Sequence, residues 1–305
     1  MDGTAAPLQG VPSQLTLTPR LRRQLADWLQ EDLGRGDLSA AALQGRRGEA
    51  HWVAKTAGVF CGGLLLEPLL RELEPQTEAW QLRRLVADGT AVTPGDRLLE
   101  LEGPAGLLVA LERTALNLAM RLSGIATATA ALVAELEGTG VALADTRKTT
   151  PGLRELEKYA VRCGGGVNHR LGLDDAAMLK ENHLAWAGGV DAAITAVRAA
   201  SPWPARVIVE AETEAEAAAA VAAGADGVLL DEFSPEVLRD LVPRLRQLAQ
   251  TRPSPGGVVL EASGLQPSEL RAYAATGIDL ISTSAPVTRS RWLDLSMRFS
   301  APDLV

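Results

Sequence analysis

Seven short apolar runs lie between Val141 and Ala285, and each of them ends in charged or hydroxyl residues. Strands of a parallel sheet are covered on both faces, so their sequences are unbroken runs of Val, Ile and Leu. Binding and catalytic residues of parallel barrels gather at the carboxyl ends of the strands. The pattern therefore predicts a parallel α/β barrel with an active site at one rim. Three of the first four endings are cationic, so the ligand should be an anion. The endings are Asp145-Thr-Arg147-Lys148, Asn168-His169-Arg170, Lys180-Glu-Asn-His183, Glu210, Asp231, Glu261-Ala-Ser263-Gly264 and Ser282-Thr-Ser284.

Length and charge narrow the class of protein. The chain has 305 residues and 47% hydrophobic content, more than one barrel requires, so a further domain is expected. The net charge of -8 argues against nucleic-acid and anionic-membrane partners, which bind broad basic surfaces. No run approaches the apolar length of a spanning helix, and residues 1–17 do not resemble a signal peptide, so a cytoplasmic protein is predicted. Cys61 and Cys163 are expected to be reduced thiols.

The first part of the chain predicts a smaller α+β amino-terminal domain over residues 18–125, preceded by a flexible arm, residues 1–17. Thr18-Pro19 supplies a helix cap and a first-turn proline for a helix that ends near Gly34. Turn residues such as Pro94-Gly95-Asp96 separate mainly apolar or alternating stretches, which predicts an antiparallel sheet. The stretches lie near 50–55, 81–87 and 97–102, and a helix is expected after Gly63.

A long helical pattern links this domain to the barrel. Leucines recur at helical spacing between Pro104 and about Gly138, with a break expected at Ser123-Gly124. In the following residues, 126–290, strands alternate with helices, which predicts an incomplete α/β barrel of seven strands. The tail 291–305 has no place in that repeat and is expected to return to the first domain. The predicted helices of the barrel cover 191–200, 213–223, 234–250 and 267–276.

Two cationic segments are the strongest candidates for a binding site. Arg147-Lys148 follows the first run, and there a planar guanidinium suits a carboxylate while an ammonium suits a phosphate. His169-Arg170 comes shortly after three glycines, whose amides are expected to face an anion. Lys180 ends the third run. His183 has either a helix-start role or a direct contact, and the sequence leaves both open.

Carboxylates and hydroxyls end the later runs. Glu210 and Asp231 together predict a site for sugar hydroxyls or Mg²⁺, whose hard charge needs oxygen ligands. A general acid and base for glycoside hydrolysis is the alternative, although the neighbouring cations would have no purpose there. Ser263-Gly264 and Ser284 end the last two strands, where barrel loops often form a phosphate cradle. Arg113 lies on a helix among leucines, and periodicity alone does not assign it a role.

Taken in order, these segments resemble the quinolinate phosphoribosyltransferase family, also called the carboxylating nicotinate-nucleotide pyrophosphorylases. The resemblance runs from Glu31-Asp-Leu-Gly-Arg-Gly-Asp37 to Ser282, nearly the whole chain. It is carried by Glu112-Arg-Thr-Ala-Leu-Asn117, Asp145-Thr-Arg-Lys-Thr-Thr-Pro-Gly152, Gly164-Gly-Gly-Val-Asn-His-Arg170, Leu179-Lys-Glu-Asn-His183, Val209-Glu210, Leu230-Asp231 and Glu261-Ala-Ser-Gly264.

The resemblance implies a reaction, a metal and an assembly. Quinolinate and 5-phosphoribosyl 1-pyrophosphate would become nicotinate mononucleotide, pyrophosphate and CO₂, with Mg²⁺, in a homodimer or higher homo-oligomer that shares its active sites. Lys148, Glu210 and Asp231 would be catalytic, and the two carboxylates would hold the metal directly or through water. Quinolinate would be bound by Arg113 of the partner subunit, Arg147, His169, Arg170 and Lys180. The phosphoribosyl donor would be bound by Lys148, Lys180, Glu210, Asp231, Ser263, Gly264 and Ser284, where many relatives carry a glycine in place of Ser284.

Four alternatives differ in what they require of the site. A nicotinate-using phosphoribosyltransferase would neutralise one ring carboxylate, for which five candidate cations are too many. A relative recruited to another pyridine or to molybdenum-related metabolism would not need the full set of motifs. A barrel aldolase would use Lys148 or Lys180 as a Schiff-base nucleophile. A non-enzymatic carrier domain would need an exposed lysine in the hairpin around Pro94-Gly95-Asp96, which has none.

Overall fold

The computed structural model describes residues 15–252 and 257–300, which divide into two units. Of the described residues, the amino-terminal unit contains 15–130, 149–165 and 285–300, and the barrel unit contains 131–148, 166–252 and 257–284. The predicted arm, residues 1–17, lies almost wholly outside the described part of the chain, as do residues 301–305 of the predicted tail.

Four antiparallel strands form the main sheet of the amino-terminal unit. In spatial order they are Leu295–Ser300 (β12), Arg47–Ala54 (β1), Arg97–Pro104 (β5) and Gln81–Arg84 (β3). The tail strand β12 pairs with β1 over six residues, from Glu49↔Ser300 to Ala54↔Leu295. A separate short pair consists of Gly58–Val59 (β2) and Ala91–Val92 (β4).

Helices of the amino-terminal unit cover one core around Trp52 and Phe60, both fully buried. The first helix begins and ends where the sequence predicts, since Thr18 Oγ1 accepts from the Leu21 N–H at 3.1 Å and Gly34 has a φ of +54°. Cys61 and Cys163 are buried thiols, and burial raises the pKa of Cys61 well above its usual range, with its neighbour Cys163 adding to the effect. The helices are Pro19–Leu33 (α1), Leu66–Leu73 (α2), Ala105–Glu135 (α3), Arg154–Cys163 (α4) and Ala285–Arg289 (α10), with 3-10 turns at Leu38–Leu43, Gly63–Leu65 and Thr77–Ala79.

The predicted break at Ser123-Gly124 is wrong, because α3 runs without interruption through both residues. A Cβ on Gly124 would lie 2.1 Å from the Arg291 carbonyl oxygen, so this glycine permits a close backbone approach. Ser123 is fully buried and its Oγ accepts from the Cys61 N–H at 2.9 Å. Both residues are therefore packing positions inside a helix.

The same helix, α3, corrects the expectation that no apolar run approaches the length of a spanning helix. Among the described residues, α3 is the one helix long and apolar enough to cross a membrane by length and composition. The sequence had suggested no such run. Within its most apolar stretch 44% is buried inside the protein, and core helices of soluble proteins pass the same test, so this is weak evidence for a span.

Six parallel strands form the sheet of the barrel unit, which does not close. Their spatial order is Ala142–Ala144 (β6), Leu280–Ser282 (β11), Val259–Ser263 (β10), Gly227–Asp231 (β9), Arg206–Ala211 (β8) and Ala176–Leu179 (β7). The predicted fold class, an incomplete α/β barrel with a smaller amino-terminal domain, is confirmed. The second of the seven predicted runs differs in detail, since it forms a single parallel bridge, Ala144↔Val167, in place of a strand.

Helices of the barrel unit follow the strands as the sequence predicts. Thr213 and Glu216 form a reciprocal capping box at the start of one helix, and Gly224, with a φ of +88°, follows its end. Ser234 caps the next helix ahead of a first-turn proline. The helices are Glu181–Ala187 (α5), Val190–Ala200 (α6), Glu214–Ala222 (α7), Pro235–Thr251 (α8) and Leu270–Ala274 (α9), the last preceded by a 3-10 turn at Pro267–Glu269.

Candidate active site

The register of the barrel sheet places residues from neighbouring strands side by side at its carboxyl edge. Ser263, the last residue of β10, pairs with Asp231, the last of β9, and Ser263 Oγ donates to Asp231 Oδ1. Leu179 pairs with Val209, so Lys180 and Glu210 are adjacent beyond them, and the Lys180 ammonium contacts Glu210 Oε2. Four residues predicted separately thus form two contacting pairs.

A third carboxylate joins Glu210 and Asp231. One carboxylate oxygen from each of Glu210, Glu212 and Asp231 lies within 4.8 Å of the other two. Sequence reasoning missed Glu212. It comes two residues after Glu210, a spacing that places side chains on the same side of extended chain, and this was the available signal.

Two guanidinium groups lie close together at the end of β6. Burial lowers the pKa of Arg170, the nearby Arg147 cation lowers it further, and Asp175 acts in the opposite direction. Arg170 Nη1 also donates to the Ala176 carbonyl at 3.2 Å, which ties the guanidinium to the start of β7. Next to Arg147, the Lys148 N–H donates to Thr146 Oγ1 at 3.0 Å. Adjacent like charges of this kind favour an anionic ligand, because it would relieve their repulsion.

Two buried carboxylates hold the segment that carries Arg170. Asp145, 2% exposed, accepts from the His169 N–H at 2.8 Å and from Asn168 Nδ2 at 2.7 Å. Glu261, 3% exposed, faces His169 Nε2 at 3.2 Å. The other ring nitrogen, Nδ1, accepts from the Arg170 N–H at 2.7 Å, so the proton of a neutral ring is on Nε2 and points to Glu261.

Asp145 and Glu261 were not among the predicted site residues. Both end or lie within apolar runs, and a carboxylate in such a run is expected to be buried with partners. That was the signal available. The sequence did not indicate that residues 116 positions apart along the chain meet at one histidine.

The three glycines before His169 serve packing more than anion binding. The amide of Gly164 donates to the Ala160 carbonyl at 3.0 Å and that of Gly165 to the Arg162 carbonyl at 2.9 Å, which ends α4. A Cβ on Gly164 would lie 2.4 Å from the Ala126 carbonyl oxygen. The expectation that these amides face an anion is therefore wrong for Gly164 and Gly165.

The ends of β9 and β10 contain residues with positive φ. Gly264 has a φ of +79°, and a Cβ there would lie 2.9 Å from Glu232 Cγ. Glu232 follows Asp231 directly and has a φ of +58°, the one positive value outside glycine in the described part of the chain. Ser284 directly precedes α10. His183 Nδ1 accepts from the Lys180 N–H at 3.2 Å at the beginning of α5, so His183 has the helix-start role.

Arg113, the remaining predicted site residue, lies on α3 in the amino-terminal unit. It lines a cavity of about 490 Å³ within that unit, together with acidic, aromatic and polar side chains. Those that bear charge or an aromatic ring are Trp28, Glu31, Asp32, Arg121 and Trp292.

Comparison with known proteins decides the family. Models of the quinolinate phosphoribosyl transferase N-terminal and C-terminal domains match residues 37–123 and 125–298. This chain belongs to the quinolinate phosphoribosyltransferase family. It is 41% identical to a probable carboxylating nicotinate-nucleotide pyrophosphorylase of Synechocystis sp., over 96% of each chain. It is 37% identical to the human carboxylating nicotinate-nucleotide pyrophosphorylase, over 95% of each.

A solved structure gives the same result. The nicotinate-nucleotide pyrophosphorylase of Francisella tularensis is 34% identical, with a TM-score of 0.83, over 95% of this chain and 100% of that one. The chain is therefore an enzyme, a pentosyltransferase of NAD biosynthesis, as the resemblance implied.

Proposed function

We propose that this chain transfers the phosphoribosyl group of 5-phosphoribosyl 1-pyrophosphate to quinolinate, with release of pyrophosphate and CO₂, at the carboxyl edge of the barrel sheet. The observation that carries the proposal is the placement of Arg147 and Arg170, each three residues beyond the paired residues Ala144 and Val167, and the charge of Arg147 adds to burial in lowering the pKa of Arg170. Quinolinate carries two adjacent carboxylates, and two neighbouring guanidinium groups with forked donors suit them.

The quinolinate end of the site consists of Arg147, Arg170, Lys180 and the His169 segment. Arg170 and Arg147 bind the ring carboxylates directly. His169 has both ring nitrogens engaged within the protein, by Glu261 and by the Arg170 N–H, so we assign it to orienting this segment. Arg113 of the partner subunit completes the site in a homodimer, the role that the family resemblance implies.

The donor end consists of the carboxylates and the later loops. Lys148 binds the pyrophosphate of the donor, and Ser263, Gly264 and Ser284 bind its 5′-phosphate. Glu210, Glu212 and Asp231 fit Mg²⁺, because their oxygens lie within 4.8 Å of one another and hard oxygen donors are what this ion prefers. When bound, Mg²⁺ would neutralise charge on the pyrophosphate.

Acidic and basic residues of the site are assigned to different charges that develop during the reaction. The pyridine nitrogen forms a bond to the ribose carbon as the bond to pyrophosphate breaks, and positive charge develops on the ribose. Glu210 and Asp231 are suitably signed to stabilise that charge, while Lys148 stabilises the leaving pyrophosphate. The ring nitrogen is then cationic, so the ring holds the electron pair left when the adjacent carboxylate departs as CO₂, and that carbon takes up a proton. No side chain forms a covalent bond.

A substrate comparison tests this proposal. Purified protein with Mg²⁺ and the donor should release pyrophosphate and CO₂ in equal amounts with quinolinate and neither product with nicotinate. Turnover of nicotinate would favour the one-carboxylate alternative. Borohydride with a carbonyl substrate should give no covalent adduct, and an adduct at Lys148 or Lys180 would favour the aldolase. We further propose a cytoplasmic location without nucleic-acid or membrane partners, on the net charge of -8.

A further inference from the structure

Glu261 is a buried carboxylate that the proposed chemistry does not use. It lies in β10, is 3% exposed, and directs Oε2 at His169 Nε2 over 3.2 Å. Its second oxygen, Oε1, is buried and has no hydrogen-bond partner among the described residues. Leaving a buried carboxylate oxygen unpaired costs free energy, so stability alone does not explain a glutamate at this position.

The bond from His169 fixes the orientation of the imidazole ring. With its proton on Nε2 directed at Glu261, the ring presents Nδ1 as an acceptor, and the Arg170 N–H donates to it at 2.7 Å. Asp145 holds the main chain of His169, whose N–H donates to Asp145 Oδ1 at 2.8 Å. The imidazole is thus a link between a strand end and the backbone of Arg170.

The backbone of Arg170 determines where its guanidinium is placed. That group lies beside the Arg147 cation, an arrangement that repulsion opposes and that burial makes more unfavourable. Two like charges near one another need rigid supports, and a ring fixed at both nitrogens is such a support.

We propose that Glu261 is a positioning residue for the anion site: by fixing the His169 ring it holds Arg170 next to Arg147. This inference rests on the proposed function, since the anion is quinolinate. Glu261 acts on the affinity for quinolinate and does not contact the phosphoribosyl donor.

Kinetics with two variants of Glu261 test the assignment. Glu261→Leu removes the acceptor, and KM for quinolinate should rise roughly 10- to 100-fold, the range found when the partner that orients a metal-binding histidine is removed. KM for the donor should stay unchanged. Glu261→Gln keeps a carbonyl acceptor of the same shape and should show a smaller rise, because a neutral oxygen is a weaker acceptor than a carboxylate.

Asp279→Asn is the matched control. Asp279 precedes β11 at the opposite edge of the same sheet, where it accepts from the Leu260 N–H at 2.8 Å and from Arg246 at 2.7 Å. This variant should lose thermal stability without a change in KM for quinolinate. If Glu261→Leu behaves in the same way, its role is structural and the inference is wrong.

Imidazole NMR gives a readout that does not depend on turnover. The chain has three histidines, so His169 can be assigned by the loss of its signals in His169→Gln. Its Nε2–H should be shifted downfield in the wild type, less so in Glu261→Gln and least in Glu261→Leu. If the leucine variant does not fold, the glutamine variant decides. Identical signals in wild type and variant would overturn this inference alone, whereas a wild type inactive with quinolinate would overturn the proposed function and, with it, the identity of the anion.

Discussion

Two buried glutamates of this chain are bonded in different ways. Glu157, in the amino-terminal unit, is fully buried and both of its oxygens have partners: Arg121 and the Thr150 hydroxyl bond Oε1, and the Thr150 N–H bonds Oε2. Glu261, in the barrel unit, is 3% exposed, and of its two oxygens only Oε2 is bonded to any residue that the structure describes. A buried carboxylate whose two oxygens both have hydrogen-bond partners stabilises the fold. A buried carboxylate with one oxygen lacking a partner costs free energy, so its presence indicates a functional role.

The largest effect should come from Glu157. Glu157→Leu leaves the partly buried Arg121 guanidinium without its carboxylate, and breaking a buried pair costs about 3–5 kcal/mol of the free energy of unfolding. Arg121 is 17% exposed in its side chain, so little water can replace the lost partner. Urea denaturation of the variant and the wild type measures this difference.

Glu72→Leu is the control for the same unit, because Glu72 is an exposed residue of α2. Surface changes of this kind usually stay within about 0.5 kcal/mol. The comparison also has a direct test: Glu261→Leu should lose less stability than Glu157→Leu. An equal loss would show that the two glutamates have the same structural role.

Two cations of the barrel rim, Arg147 and Lys148, test the functional part of the comparison. Arg147→Ala should raise KM for quinolinate, since each lost hydrogen bond to a charged group costs about 1.5–3 kcal/mol. Lys148→Ala should instead raise KM for 5-phosphoribosyl 1-pyrophosphate, because its ammonium is assigned to the pyrophosphate. Steady-state kinetics with each substrate varied in turn measures both. Equal effects of the two variants on both substrates would contradict the division of the site.

The sequence predicted the rim because strand ends are visible in it as polar residues after apolar runs. Arg147, Lys180, Glu210 and Asp231 were found in this way. Which of the predicted residues contact one another was not predicted, since a contact such as that between Ser263 and Asp231 depends on the register of two strands, which the sequence does not display.

Packing positions were the other source of error. Gly124 looked like a helix break because glycine disfavours helices, yet a neighbouring backbone passes where its Cβ would be. Helix α4 was not predicted at all. Its buried face includes Glu157 and Lys158, so charged residues interrupt the apolar pattern that identifies a helix. In both units, the tertiary partners of charged residues could not be predicted from the sequence.

The smallest effect concerns strain at the rim. Glu232 is exposed and has a φ of +58°, a conformation that costs a side-chain-bearing residue roughly 1–2 kcal/mol. Glu232→Gly removes that cost but adds freedom to the unfolded chain, so the free energy of unfolding should rise by about 1 kcal/mol or less.

Glu236→Gly is the control for Glu232→Gly and should change stability in the opposite direction. Glu236 is an exposed residue in the first turn of α8, where glycine costs about 1 kcal/mol relative to ordinary helix formers. Urea denaturation of both variants should therefore give shifts of opposite sign. If Glu232→Gly destabilises the protein as Glu236→Gly does, the backbone at the end of β9 is not strained. The contrast between the rim and the amino-terminal unit would then rest on Glu261, whose Oε1 has no hydrogen-bond partner among the described residues.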